Sequence, residues 1–132
     1  MSTTSSSNIR YFYDSYAVIE YLKGNENYRH YFDDANGILT KLNLMEVYFK
    51  LLSTADSRTA KEALTSFSKY LVDFDLHNIE EAMKLRLNFK QNRRQEISYA
   101  DALGYHLAKQ NGTKFLTGDN EFRGLDNVEF VG

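Results

Sequence analysis

A chain of 132 residues has room for one hydrophobic core, because domains commonly take roughly 100 to 200 residues, and a hydrophobic content of 42% with 10 Tyr and 9 Phe excludes intrinsic disorder for the bulk. Lys plus Arg is 16 against 18 Asp plus Glu, a net charge of −2, which excludes a polybasic binder and confines phosphate binding to a local patch. Cysteine is absent, removing disulfides, thiolate zinc sites, iron–sulfur clusters and thiol nucleophiles. The expectation is a cytoplasmic protein without a membrane segment, since no apolar run approaches the ~18 residues that span a bilayer.

Met1 to Asn8 is polar, with Ser or Thr at six of eight positions, and is expected to be a disordered tail ahead of a single domain over residues 9–132. Proline is absent, so Gly, Asn and Asp must punctuate the chain. Five short apolar runs read as strands: Ile9 to Tyr13, ending at Asp14; Gly37 to Thr40; Tyr70 to Phe74; Lys114 to Thr117, ending at Gly118 and Asp119; and Val128 to Val131. Between them the period is helical. Leu42, Met45, Phe49 and Leu52, widened by Leu44, Tyr48 and Leu51, leave only Asn43, Glu46 and Lys50 as a polar stripe, which predicts a helix buried nearly all round. Residues 59–69, 77–91 and 99–110 are also predicted as helices, the last capped by Ser98 and stopped at Asn111-Gly112. Strands alternating with helices predict a three-layer α/β/α sandwich around a five-stranded, mainly parallel sheet.

In such sheets the binding crevice lies outside the carboxyl ends of the strands, and the sequence places acids there. Asp14 follows the first strand and Asp119 the fourth; Glu46 lies on the polar stripe of the helix after the second, and Asp101 in the first turn of the helix leading into the fourth. Carboxylates ~5 Å apart repel by about 3 kcal/mol at an effective dielectric of ~20. A divalent cation relieves that repulsion. All-oxygen ligation suits Mg²⁺ or Mn²⁺, while His30, His77 and His106 have no zinc-ligand spacing. A metal so held can activate water and neutralise a phosphodiester under in-line attack.

Each acid also has a purely structural reading. Asp14 can cap the helix beginning at Ser15, Asp101 can complete a capping box with Ser98, Glu46 can pair with Lys50, and Asp119 can close a turn. All four sitting by chance at one rim is the less economical account.

At these residues the sequence resembles the PIN-domain family, the nuclease fold of VapC-type toxins. The resemblance runs from Tyr11 to the C-terminus and is strongest in YFYDSYAVIEYLKG (Tyr11 to Gly24) and ISYADALGYHLAKQNGTKFLTGDNEF (Ile97 to Phe122), with LNLMEVYFKLL (Leu42 to Leu52) between. It implies that Asp14, Glu46, Asp101 and Asp119 are catalytic acids that bind the metal, with Ser15 and Thr117 supporting them. It further implies a Mg²⁺- or Mn²⁺-dependent ribonuclease that dimerises and is restrained by a cognate antitoxin. Toxin-like members often carry Asn where this chain has Tyr16.

Other features carry less. On a helix Arg86, Lys90 and Arg93 share a face, which can track RNA phosphates along a groove or simply be a solvated helix end. Tyr11, Tyr13, Tyr16, Tyr21, Tyr28 and Tyr31 crowd the N-terminal third, where some can stack bases or seal a dimer and most belong to the core edge. His106 reads as a surface residue. No Walker lysine motif, G-x-G-x-x-G or G-x-S-x-G occurs. The rival readings are a non-catalytic metal- or RNA-binding module and an RNA-processing nuclease without an antitoxin.

Overall fold

The computed structural model describes residues 9–34 and 36–132; the expected N-terminal tail lies outside the described residues. Four strands, β1 (Tyr11–Tyr13), β2 (Gly37–Ile38), β3 (Lys114–Thr117) and β4 (Val128–Phe130), form one sheet in the order β2-β1-β3-β4. All three pairings are parallel. Six α-helices surround it: α1 (Ser15–Leu22), α2 (Arg29–Asp33), α3 (Lys41–Thr54), α4 (Ser57–Phe67), α5 (Leu76–Asn88) and α6 (Tyr99–Gln110). Among the described residues, no helix is long and apolar enough to cross a membrane.

Strand pleating sorts the core into two layers, because successive side chains point to opposite faces. Tyr13 and Leu116 pack with Ala17, Phe32, Val47 and Phe67 on the side of α1–α4. Phe12 and Phe115 pack with Ala82, Leu103 and Leu107 on the side of α5 and α6. Both faces of the sheet are covered, which explains why its strands read as unbroken apolar runs. Gly104 permits the close approach of α6, since a Cβ there would lie 2.6 Å from Phe12 Cε1.

The sheet has four strands where five are expected. The run Tyr70 to Phe74 contributes one parallel bridge, Leu39 to Leu71, with Leu39 N donating to Tyr70 O and Val72 N to Leu39 O. A 3-10 turn occupies Ser68–Tyr70 on one side of that bridge and Asp75 caps α5 on the other, leaving no length for a ladder. The predicted helix over 77–91 also divides: α5 ends at Asn88 and a π-helical turn, Phe89–Arg93, carries the chain to Arg94 at φ 56°. Helix α3 is less buried than its apolar spacing predicts. Asn43 is fully buried, whereas Met45 is 65% and Phe49 72% exposed.

Candidate active site

The register that sets Tyr13 beside Leu116 sets the next residues, Asp14 and Thr117, side by side at the carboxyl edge of the two central strands. Thr117 Oγ1 donates to Asp14 Oδ2 at 2.7 Å and accepts from Asp119 N at 3.0 Å. One hydroxyl thus joins the two strand-end acids. Asp14 occupies the N-cap position of α1 but makes no side-chain cap bond, so capping does not account for its carboxylate, which is 2% exposed.

The second acid is fixed from α3. Ser15 Oγ donates to Glu46 Oε1 at 2.6 Å and accepts from Asn43 Nδ2 at 3.1 Å. Asn43 is itself locked by the capping box at the start of α3, where its side chain accepts from Thr40 N and Thr40 Oγ1. The spacing Thr40-x-x-Asn43 was the available signal for this buried residue, and the polar stripe concealed it. Asp101 does form its capping box, with Ser98 Oγ accepting from Asp101 N at 3.0 Å, and Asp119 does close a turn, accepting from Glu121 N at 3.0 Å. Both roles leave the carboxylates at the same crevice.

Asp14, Ser15, Glu46, Asp101 and Asp119 line one cavity of about 500 Å³, together with Tyr16, Glu20 and Lys50. Thr117 acts from beneath it through Asp14. Burial pushes Asp14 well above the ordinary carboxylate range, reinforced by the nearby Asp101 charge and opposed by the Thr117 bond. Asp101 is pushed up to about 6 by burial and by Glu46. Burial and mutual repulsion thus favour the protonated form of both carboxyls in the metal-free site. Among the described residues no three acid or histidine side chains converge tightly enough to be a preformed cage. The donor set is nonetheless all oxygen and anionic, which fits a hard cation that keeps several of its own waters, as Mg²⁺ does.

Gly118 separates Thr117 from Asp119 for a steric reason. A Cβ there would meet Tyr28 Oη, Tyr16 Cε1 at 2.6 Å and the Val131 carbonyl at 2.6 Å. Gly118→Ala is expected to destabilise the protein by about 1–3 kcal/mol, the usual range for overpacking, and to displace Asp119; thermal melting and a crystal structure of the variant check both effects.

Arg86, Lys90 and Arg93 do not line this cavity. Arg86 Nε donates to Ile97 O at 2.8 Å and its guanidinium covers the Tyr99 ring, so it braces the segment before α6. Lys90 lies 3.8 Å from Glu96, and Arg93 bonds Gln95 and covers Phe89. Because helix α5 gives way to a π turn after Asn88, the continuous face assumed for these three residues is absent. His106 is also not a simple surface residue: it is half-buried, 3.1 Å from Asn78 Nδ2, and burial lowers its pKa.

The PIN domain model matches residues 11–128. The chain belongs to the PIN-domain family. PIN domains are nucleases, and solved structures share the fold at low identity. The VapBC complex bound to DNA from Salmonella typhimurium aligns with a TM-score of 0.74 at 16% identity, covering 92% of this chain and 96% of that one. A toxin–antitoxin complex from Klebsiella pneumoniae gives 0.70 at 16%, covering 92% and 97%. FitAcB from Neisseria gonorrhoeae gives 0.67 at 17%, covering 92% and 96%. Curated protein sequences yield no match.

Proposed function

We propose that this PIN domain is a Mg²⁺- or Mn²⁺-dependent endoribonuclease, cytoplasmic and dimeric, acting as the toxin of a VapBC-type pair. The observation that carries the nuclease reading is the meeting of Asp14, Glu46, Asp101 and Asp119, from four separate segments, on one cavity. The toxin role rests on the similar solved structures, which include toxin–antitoxin complexes. In this reading Asp14, Glu46, Asp101 and Asp119 would hold the metal. The cation, when bound, lowers the pKa of a water and neutralises charge on the phosphodiester. Thr117 orients Asp14 by donating to one oxygen, which leaves the other oxygen free to ligate. Ser15 does the same for Glu46. Lys90 and Arg93, both exposed, are proposed to contact RNA phosphates outside the cavity, with Arg86 mainly structural.

The test is cleavage of a generic single-stranded RNA with Mg²⁺ or Mn²⁺ and with EDTA. Fragments should appear with metal and vanish with chelator. Cleavage that persists in EDTA, or none in either metal, would overturn the proposal. Co-purification with the product of a small adjacent reading frame tests the antitoxin partner.

A further inference from the structure

Two exposed aromatic rings line the same cavity as the acids. Phe49 is 72% and Tyr16 44% exposed. Phe49 lies three residues beyond Glu46 on α3, hence on the same helix face, and Tyr16 sits over Gly118, next to Asp119. The two rings, from two different helices, border the cavity that holds the acids. Neither ring is stacked on another aromatic side chain among the described residues, unlike Tyr13, Tyr21 and Phe32, which stack together in the core. A solvent-exposed phenylalanine forfeits the burial that normally places that residue, and here it also borders a cavity whose lining includes Lys23 and Lys50.

We propose that Phe49 and Tyr16 are base-stacking residues that hold the nucleobases flanking the scissile phosphate. This rests on the nuclease reading and names residues that grip its substrate. A duplex buries its base faces and offers these rings nothing, whereas a single strand can splay its bases onto them. Lys23 and Lys50 add the positive charge a phosphate chain requires beside so many acids. Protein partners are the competing occupant, since Met45 and Leu52 continue the apolar stripe along α3, but that stripe does not account for Tyr16, which reaches the same cavity from α1.

Binding is measured in an Asp119→Asn background with Mg²⁺, using a fluorescein-labelled ten-nucleotide RNA, the same strand carrying abasic residues at its centre, and an RNA duplex. Phe49→Ala and Tyr16→Ala should each weaken binding of the intact strand by roughly 5- to 100-fold, the usual worth of one stacked base. They should change binding of the abasic strand less than twofold. Phe49→Leu should behave as Phe49→Ala, since it keeps the apolar surface and loses the ring. Leu52→Ala, outside the cavity lining, should bind as the parent does. Phe49→Trp supplies the sole tryptophan of the chain, and its fluorescence should be quenched by the intact strand and not by the abasic one. Equal loss on intact and abasic strands, or none on either, overturns the inference and assigns the α3 face to a protein partner. If the wild-type protein cleaves RNA in metal yet the Asp119→Asn background prefers the duplex, the stacking assignment is wrong while the nuclease stands; if the wild-type protein neither binds nor cleaves any strand, both readings fall.

Discussion

Asp14→Asn is expected to lower the rate of RNA cleavage by about 10³-fold or more, the several kcal/mol that a mis-held metal and its water forfeit in the transition state, while raising the melting temperature of the metal-free protein. The opposite signs have one cause. Asparagine keeps the acceptor for Thr117 Oγ1 and can donate to Asp101, so the polar contacts at the strand ends survive. What disappears is a buried carboxylate beside Asp101 and Glu46, whose burial and repulsion oppose folding. Asp119→Asn should be as inactive, and its side-chain oxygen can still accept from Glu121 N to keep the turn. Single-turnover cleavage and thermal melting in EDTA give both readings. Wild-type cleavage by both variants would remove the acids from the mechanism.

The second large effect is a coupling of stability to pH and metal. Asp101 is raised to about 6 from the ordinary 3.8, and Asp14 is raised with it. Between those values the folded protein binds more protons than the unfolded chain, so the slope of unfolding free energy with pH is negative. The contribution of Asp101 is greatest below about pH 4 and is lost as pH rises through about 6, and Asp14 acts in the same direction. Divalent metal should reverse the trend, because it binds the deprotonated carboxylates of the folded state and releases their protons. At a hundredfold excess over its dissociation constant it adds about 2.7 kcal/mol, roughly 8 °C in melting temperature for a chain of this size. Melting curves at pH 5 and pH 8, with and without Mg²⁺, should show a metal increment that is large at pH 8, small at pH 5 and nearly absent in Asp14→Asn. An increment independent of pH would mean that the metal binds elsewhere.

Much of this arrangement can be read before any coordinates. Each strand ended at a residue with a chemical signature, so Asp14 and Asp119 were visible as strand-end acids, and the Ser98 box marked the start of α6. Contacts between distant segments were not visible. Nothing local to Asn43 says that it will be buried against Ser15, 28 residues away; helical spacing alone counted it as solvated. The same spacing counted Met45 and Phe49 as core, because periodicity identifies an apolar stripe without revealing whether another element covers it. The Tyr70 to Phe74 run had strand composition but flanking turns that denied it length, and the π turn after Asn88 left no mark in the hydrophobic pattern, which is why Arg86, Lys90 and Arg93 were placed on one face.

The bond from Thr117 to Asp14 joins residues 103 apart in the chain, and between them lie β2, α3 and both helical layers. Closing a loop of that length costs entropy before any contact within it is rewarded, and parallel pairing across such separations folds slowly. A chain still emerging from the ribosome, with β3 not yet released, holds Asp14 on a strand without the neighbour that orients it. Competence at the site is therefore a property of the finished sheet, because Asp14 is oriented only once β3 lies beside β1.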